Sequence, residues 1–214
     1  EGTQSVGEAS HAEGYETQAI GIASHAEGEL TVASGDHSHA EGFTTKAEGA
    51  YSHTEGFNTT ASGASSHAEG EYTTAFGTSS HTEGNITVAS GNYSHAEGSG
   101  SHAIGIASHP EGVNSIASGD HSHAEGSYNT VDGDSSHVEG NNNVVGTGFS
   151  HAKGRYNLAS NGVFYAVVNT NNTAKTLNLS DVSNLAVGSK VDIKRQNIKA
   201  LTNVEITNIT NTTI

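Results

Sequence analysis

The residues with the most obvious chemical potential in this sequence are a histidine and a glutamate two positions apart, repeated every 14 residues. Each of the eleven histidines follows a serine, and Glu comes two positions later in every copy except the last, which has Lys153. Imidazole nitrogens and carboxylate oxygens both ligate transition metals, and such pairs also serve in acid–base catalysis. The series consists of His11, Glu13, His25, Glu27, His39, Glu41, His53, Glu55, His67, Glu69, His81, Glu83, His95, Glu97, His109, Glu111, His123, Glu125, His137, Glu139 and His151.

The number of copies favours a structural role for these pairs over catalysis. A catalytic site is one special position with perturbed neighbours, whereas a motif repeated at every level of a repeat protein is typical of a scaffold contact. We therefore predict that the chain is not an enzyme and has no catalytic residues and no cofactor, with metal ligation by the pairs as the alternative. The corresponding positions of the other half-repeat vary, as Gln18, Val32, Lys46 and His102 illustrate, which indicates weaker constraint.

Glycine sets the period of the chain. It occupies every seventh position from Gly7 to Gly154 except position 147. A coiled coil also has a seven-residue period, but its core positions are large and apolar. A glycine in every heptad would in addition cost a helix about 1 kcal/mol each time. The spacing therefore argues against helices.

Alternation within each half-repeat predicts short strands. Ser10, Ala12 and Gly14 fall on one side of a period-2 pattern, and His11 and Glu13 fall on the other. We predict a strand of about five residues followed by a glycine-assisted turn, twice per 14 residues. Such coils would stack into a parallel β-solenoid with an interior of Ala, Ser and Thr. Because this core buries little apolar area, we expect the chain to gain stability by packing against other copies of itself.

Composition and charge exclude several classes of protein. There is no cysteine, so disulfides, thiolate metal sites and cysteine nucleophiles are ruled out. The longest apolar runs have four to six residues, far short of the roughly 20 that a membrane-spanning helix needs. Residues 1–161 carry 20 acidic side chains against three basic ones, which argues against a nucleic-acid partner.

Two stretches carry a resemblance to a known family. Residues 18–28 and 102–112 both read x-Ala-Ile-Gly-Ile-Ala-Ser-His-x-Glu-Gly. They resemble the 14-residue repeat Ser-Val-Ala-Ile-Gly-x-x-Ser-x-Ala-x-Gly of the YadA-like heads of trimeric autotransporter adhesins, and the resemblance covers about residues 5–161. It implies an all-β fold, a trimeric left-handed parallel β-roll of 14-residue coils with two short strands each. The Ser-His-Ala-Glu-Gly form is similar to repeats of phage and prophage tail-fibre proteins.

A trimer gives the histidines a specific expected place. We expect His and Glu of the repeat to meet at contacts between the three chains, where crowded imidazoles should have lowered pKa values and the assembly should lose stability in acid. Two Gly-Asp-His-Ser-His segments form a separate metal candidate, since three chains would offer six imidazole nitrogens there. The competing interpretation, which we favour, is that the first histidine of each segment is a solvated turn residue. The candidates are His37, His39, His121 and His123.

The last quarter of the chain has a different composition. Beyond residue 161 the period is lost, glycine nearly vanishes, and Val, Leu, Ile, Lys and Asn increase. Alternating runs at 176–179, 190–194 and 203–207 predict strands, with a turn at 187–188. We predict two domains, a β-roll over residues 1–161 and a small β-rich module over 162–214, and we expect the module to be truncated from a longer fibre.

Together these features predict a non-enzymatic trimeric fibre segment of a phage-like tail apparatus, which acts as a rigid spacer and host-adhesion platform. The alternative is a bacterial cell-surface trimeric adhesin head that binds matrix or glycans. The expected partners are two further copies of the chain, a bacterial surface receptor of glycan or protein nature, and other fibre or tail proteins, without nucleic acid or membrane insertion. The expected location is a virion tail fibre or, alternatively, the bacterial cell surface.

Overall fold

The computed structural model describes residues 2–160, 163–165, 190–195 and 198–205. In this part of the chain all regular structure is β-strand, and no helix there could cross a membrane. Most strands have either two or five residues because each 14-residue coil contains two turns.

The strands follow one another in chain order. The first eleven are β1 (Gln4–Ser5), β2 (His11–Tyr15), β3 (Gln18–Ala19), β4 (His25–Glu29), β5 (Val32–Ala33), β6 (His39–Phe43), β7 (Lys46–Ala47), β8 (His53–Thr54), β9 (Thr60–Ala61), β10 (His67–Ala68) and β11 (Thr74–Ala75). The next eleven are β12 (His81–Thr82), β13 (Val88–Ala89), β14 (His95–Ala96), β15 (His102–Ala103), β16 (His109–Val113), β17 (Ile116–Ala117), β18 (His123–Ser127), β19 (Thr130–Val131), β20 (His137–Asn141), β21 (Val144–Val145) and β22 (His151–Arg155). The chain continues with β23 (Leu158–Ser160), β24 (Val163–Tyr165), β25 (Lys190–Arg195) and β26 (Ile198–Glu205).

Successive coils stack in parallel and in register, so that each residue lies beside the residue 14 positions later. The odd-numbered strands from β1 to β23 form one sheet, which β24 extends in antiparallel orientation. The even-numbered strands form a second face, which is divided into two sheets between β14 and β16. Pro110 lies at this division, where it has no amide N–H to donate to the ladder. The predicted parallel β-solenoid with 14-residue coils is confirmed.

The interior contains the small residues that the pattern predicts. Ala19, Ala26 and their equivalents are fully buried, as are most of the Ser and Thr residues that alternate with them. Most buried serine hydroxyls are satisfied locally, as where Ser24 Oγ donates to the Gly21 carbonyl at 2.7 Å, but Ser108 Oγ has no partner. Among the described residues, the largest fully buried apolar side chains belong to the last coils, namely Val131, Val138 and Val145.

Two details of the predicted coil were wrong. The odd-numbered strands up to β21 have two residues instead of about five, and so do β8, β10, β12 and β14 on the other face. Gly14 was expected to face the interior with Ser10 and Ala12 but is exposed. The chain leaves the strand alternation there with a φ of +114°, and a Cβ on Gly14 would meet the carbonyl oxygen of Gly28 in the next coil. This glycine therefore faces along the stack.

The turns rely on left-handed backbone conformations at residues other than glycine. At 21 non-glycine positions φ lies between 49° and 60°, a region that is costly for residues with a Cβ. Even β-branched Ile86 adopts it. The stack compensates through hydrogen bonds, since the amide N–H at these positions donates to the preceding coil, as from Tyr51 to the Asp36 carbonyl at 2.8 Å.

The C-terminal part is described only in segments. β25 confirms the strand predicted at 190–194, and it pairs with β26 in antiparallel orientation. β26 begins at Ile198, five residues before the predicted start of its strand. The strand predicted at 176–179 and the turn at 187–188 lie outside the described residues. The division into two domains at residue 161 stays a prediction.

Candidate functional site

The repeated histidines and glutamates form two parallel ladders on the outer face of the even-numbered strands. Each histidine is the first residue of its strand, and the glutamate two positions later points to the same side. Parallel register places His67 beside His81 and Glu111 beside Glu125. From His25 to His151 the imidazole rings are stacked, with centroids 4.6–5.0 Å apart. We call this surface, the eleven histidines and ten glutamates with Lys153, the His–Glu face.

Imidazole Nε2 atoms lie close to carboxylates but are too far away for good hydrogen bonds. His95 Nε2 is 3.8 Å from Glu83 in the preceding coil and 3.9 Å from Glu97 in its own coil. His53 Nε2 lies 3.6 Å from Glu41. Among the described residues, nine of these Nε2 atoms are buried and have no hydrogen-bond partner. The rest of the imidazole is less enclosed, since the histidine side chains that lie near a carboxylate are about one-third exposed. The nine buried Nε2 atoms belong to His25, His39, His53, His67, His81, His95, His109, His123 and His137.

Burial affects the charge of these histidines. It lowers the pKa of five of them below the ordinary value, and the neighbouring imidazoles lower it further, while nearby carboxylates act in the opposite direction. The five are His39, His67, His95, His123 and His137. Burial within one chain is the first cause, and the lowering expected from the crowding of three chains stays a prediction.

The glutamate ladder has alternating acidities. A hydrogen bond to the neighbouring carboxylate, together with burial, raises the pKa of Glu41, Glu69 and Glu97 to about 7. Hydrogen bonds received from these neighbours lower the pKa of Glu55 and Glu83. Adjacent carboxyl groups thus share protons, because like charges one coil apart repel each other. The glutamates of these coils line a shallow groove of about 860 Å³ with the glycines that follow them.

The last coil of the ladder replaces the acid by a base. Lys153 occupies the glutamate position and forms an ion pair with Glu139. This pair lowers the pKa of Glu139 and raises that of Lys153 through a direct hydrogen bond. A positive charge at this position therefore neutralises the neighbouring carboxylate of the ladder.

The two His-x-His segments are split between different surroundings. His39 belongs to the ladder and stacks on His25 and His53. His37 lies in a turn at φ 57°, and its ring stacks on Tyr51. In the second segment, His121 occupies the same left-handed turn position and His123 lies in the ladder. His37 and His121 are both exposed, and metal binding by three such segments stays the untested alternative.

Sequence reasoning missed an apolar cluster at the second turn of the coils. Phe43 and Phe57 stack with centroids 5.3 Å apart, and Tyr72 meets Phe57 edge-on at 5.3 Å. All three are partly exposed, and they follow the glycines that line the groove. The sequence could have predicted this cluster, because all three residues lie one or two positions after a glycine of the repeat.

The His–Glu face can bind a cation or form contacts with another copy of the chain. Among the described residues, eight groups of three His and Glu side chains have ligand atoms within 4.8 Å of one another. They include Glu55 with His67 and Glu69, and His95 with Glu97 and His109. The expectation that other copies cover these residues stays a prediction.

Comparison with protein families gives a match to the YadA head domain repeat in two copies, at residues 55–80 and 111–128. These two matches lie within the solenoid, and its parallel stacking of 14-residue coils is consistent with YadA-like head repeats. YadA-type heads are trimeric adhesins, which supports a homotrimer and a surface-exposed or extracellular location. A search of the curated proteins gives no match.

Proposed function

We propose that this chain forms a rigid trimeric segment of a phage-like tail fibre, where it acts as a spacer and as a platform for host adhesion. The observation that carries the proposal is the unbroken stack of 14-residue coils, which are joined by backbone hydrogen bonds of 2.7–3.3 Å. Such a stack resists bending, because any bend must stretch several of these bonds at once. A spacer needs this stiffness and does not need a reaction centre.

The thin interior supports association of several chains. The largest fully buried apolar side chains among the described residues are three valines, and most coils bury only alanine as an apolar residue. Small cores generally need oligomerisation or another source of stability. Exposed aromatic and aliphatic side chains at the turns supply additional apolar surface for contacts between chains, for example Tyr51, Phe76 and Ile104.

A bacterial cell-surface adhesin head that binds matrix or glycans is the second candidate. The match to the YadA head domain repeat favours it, while the Ser-His-Ala-Glu-Gly form of the repeat favours the tail fibre. The two candidates differ in their genetic context. A tail fibre should be encoded among other tail genes, whereas a surface adhesin should continue into its own membrane anchor.

Sedimentation equilibrium of the full chain tests the trimer. We expect a species with three times the chain mass of 21.8 kDa, and a stable β-rich monomer would contradict the proposal. Photo-crosslinking from single positions then tests the interface. We expect a photoreactive side chain in place of Glu69 to cross-link one chain to another, while one in place of His37 in its turn does not. Absence of cross-linking from position 69 would place the His–Glu face outside the contacts between chains.

Adhesion is tested separately with the fluorescently labelled trimer. Saturable binding to bacterial cells that is lost after the surface glycans or proteins are removed would support a role in host attachment. Binding to extracellular matrix proteins without binding to bacteria would favour the adhesin head.

A further inference from the structure

We propose that the His–Glu face is a ladder of binding sites for divalent transition-metal ions of the Zn²⁺ type. Each site is formed within one chain by one imidazole Nε2 and the carboxylates of its own coil and the preceding coil, as by Glu55, His67 and Glu69. The proposal does not depend on the tail-fibre function, because it concerns ligands from a single chain.

The distances between ligand atoms fit such an ion. Two ligands bound to Zn²⁺ at 2.0–2.2 Å in tetrahedral geometry lie about 3.3–3.6 Å apart. The separations between Nε2 and carboxylate oxygen run from 3.5 Å at His11 and Glu13 to 4.0 Å at His67 and Glu69. These pairs are too far apart for a good hydrogen bond, and the longer ones must close by a few tenths of an ångström to share an ion.

The unsatisfied Nε2 atoms support the same conclusion. Buried polar atoms normally have a partner, yet nine successive Nε2 atoms, from His25 to His137, have none among the described residues. A metal bond would remove this cost at each level that holds an ion.

Charge balance predicts how many ions the ladder holds. Ions in adjacent coils would be separated by about the ring spacing, 4.8 Å at His67 and His81, with only one carboxylate for each double charge. An ion in every second coil has two carboxylates to balance it and is twice as far from the next ion. Ten glutamates therefore balance roughly five divalent ions per chain.

The test uses the full chain, stripped with a chelator, and Zn²⁺ alone as the probe. Bound zinc is measured by elemental analysis after dialysis, and affinity is measured by calorimetry. We expect roughly five ions per chain. The double variant Glu83→Gln and Glu97→Gln should lose one or two ions.

His102→Asn is the matched control because His102 lies on the odd-numbered strand β15, on the other sheet from the ladder. It should leave the zinc stoichiometry unchanged. A stoichiometry of one ion or fewer, an equal loss in the control, or full binding in the glutamate variant would overturn the proposal, since binding would then not use the ladder carboxylates.

X-ray absorption at the zinc edge of the native chain needs no variant and therefore does not depend on variant folding. We expect a first shell of nitrogen and oxygen near 2.0–2.1 Å with imidazole scattering. A shell of water oxygens alone would contradict ligation by the ladder.

Discussion

Replacing Gly77 by alanine tests whether contacts between coil backbones set the glycine period. Gly77 is buried and does not have a positive φ, so alanine introduces no unfavourable backbone conformation. Its new Cβ would instead overlap the Gly91 carbonyl oxygen of the next coil. To relieve this overlap, the two coils must move apart. Their separation weakens the hydrogen bonds that the amides of Gly77 and Phe76 donate to the Ala89 carbonyl, at 3.2 Å and 2.8 Å.

The expected loss of stability follows from these bonds. Two or three weakened backbone hydrogen bonds at about 1 kcal/mol each, with the overpacking of a filled interior, give about 2–4 kcal/mol. Chemical denaturation followed by circular dichroism measures this loss. Gly148→Ala is the control, because Gly148 is exposed and its added Cβ would be 3.2 Å from the nearest heavy atom, the Asp134 carbonyl oxygen. Equal midpoints for the two variants would refute the steric argument.

Two further predictions concern the core and the acidic ladder. Val138→Ala should destabilise the last coils by about 1–3 kcal/mol, while exposed Val144→Ala should change stability by less than about 0.5 kcal/mol, as thermal melts would show. Glu69 and Glu97 have pKa values of about 7, so the folded chain takes up their protons before the unfolded chain does, and these residues add stability as the pH falls from 7 to 5. Histidines with a lowered pKa, such as His67 and His95, act in the opposite direction and reduce stability below about pH 6.5. Glu69→Gln with Glu97→Gln should therefore make stability fall more steeply between pH 7 and 5 than in the native chain, and an unchanged slope would contradict shared protons.

The fold was predictable from the sequence because its restraints recur at fixed spacing. Ser10 and Ala12 belong to series whose small size is required by the interior at each level, and the period-2 pattern places His11 and Glu13 outside. The turns were less predictable. Residues as different as His37 and Ile86 adopt the left-handed conformation, because hydrogen bonds to the preceding coil impose it and the local sequence does not.

The composition of the candidate site was also predictable, but its geometry was not. The repeat alone indicates that His and Glu form columns on one face. It does not give the Nε2 to carboxylate separations, which depend on side-chain conformations within a stack of like residues. The alternating acidity of Glu55 and Glu69 likewise has no counterpart in the sequence, since both residues occupy identical positions in their coils and differ only through proton sharing.

Because the coils stack in register, the glutamate ladder needs positive charge or shared protons to offset repulsion between its carboxylates, whereas the neutral histidine ladder does not. Each imidazole on this face lies beside another, about 4.8 Å away at His67 and His81, and each glutamate lies beside another glutamate until Lys153 follows Glu139. Neutral imidazoles gain from that arrangement by stacking, whereas ionised carboxylates repel one another. Positions on the opposite sheet avoid the problem by varying, yet the acid persists through ten coils. The structure contains two means of compensation, the shared protons of residues such as Glu69 and the lysine at position 153. A divalent ion held between Nε2 and carboxylate would supply the same positive charge where no lysine is present.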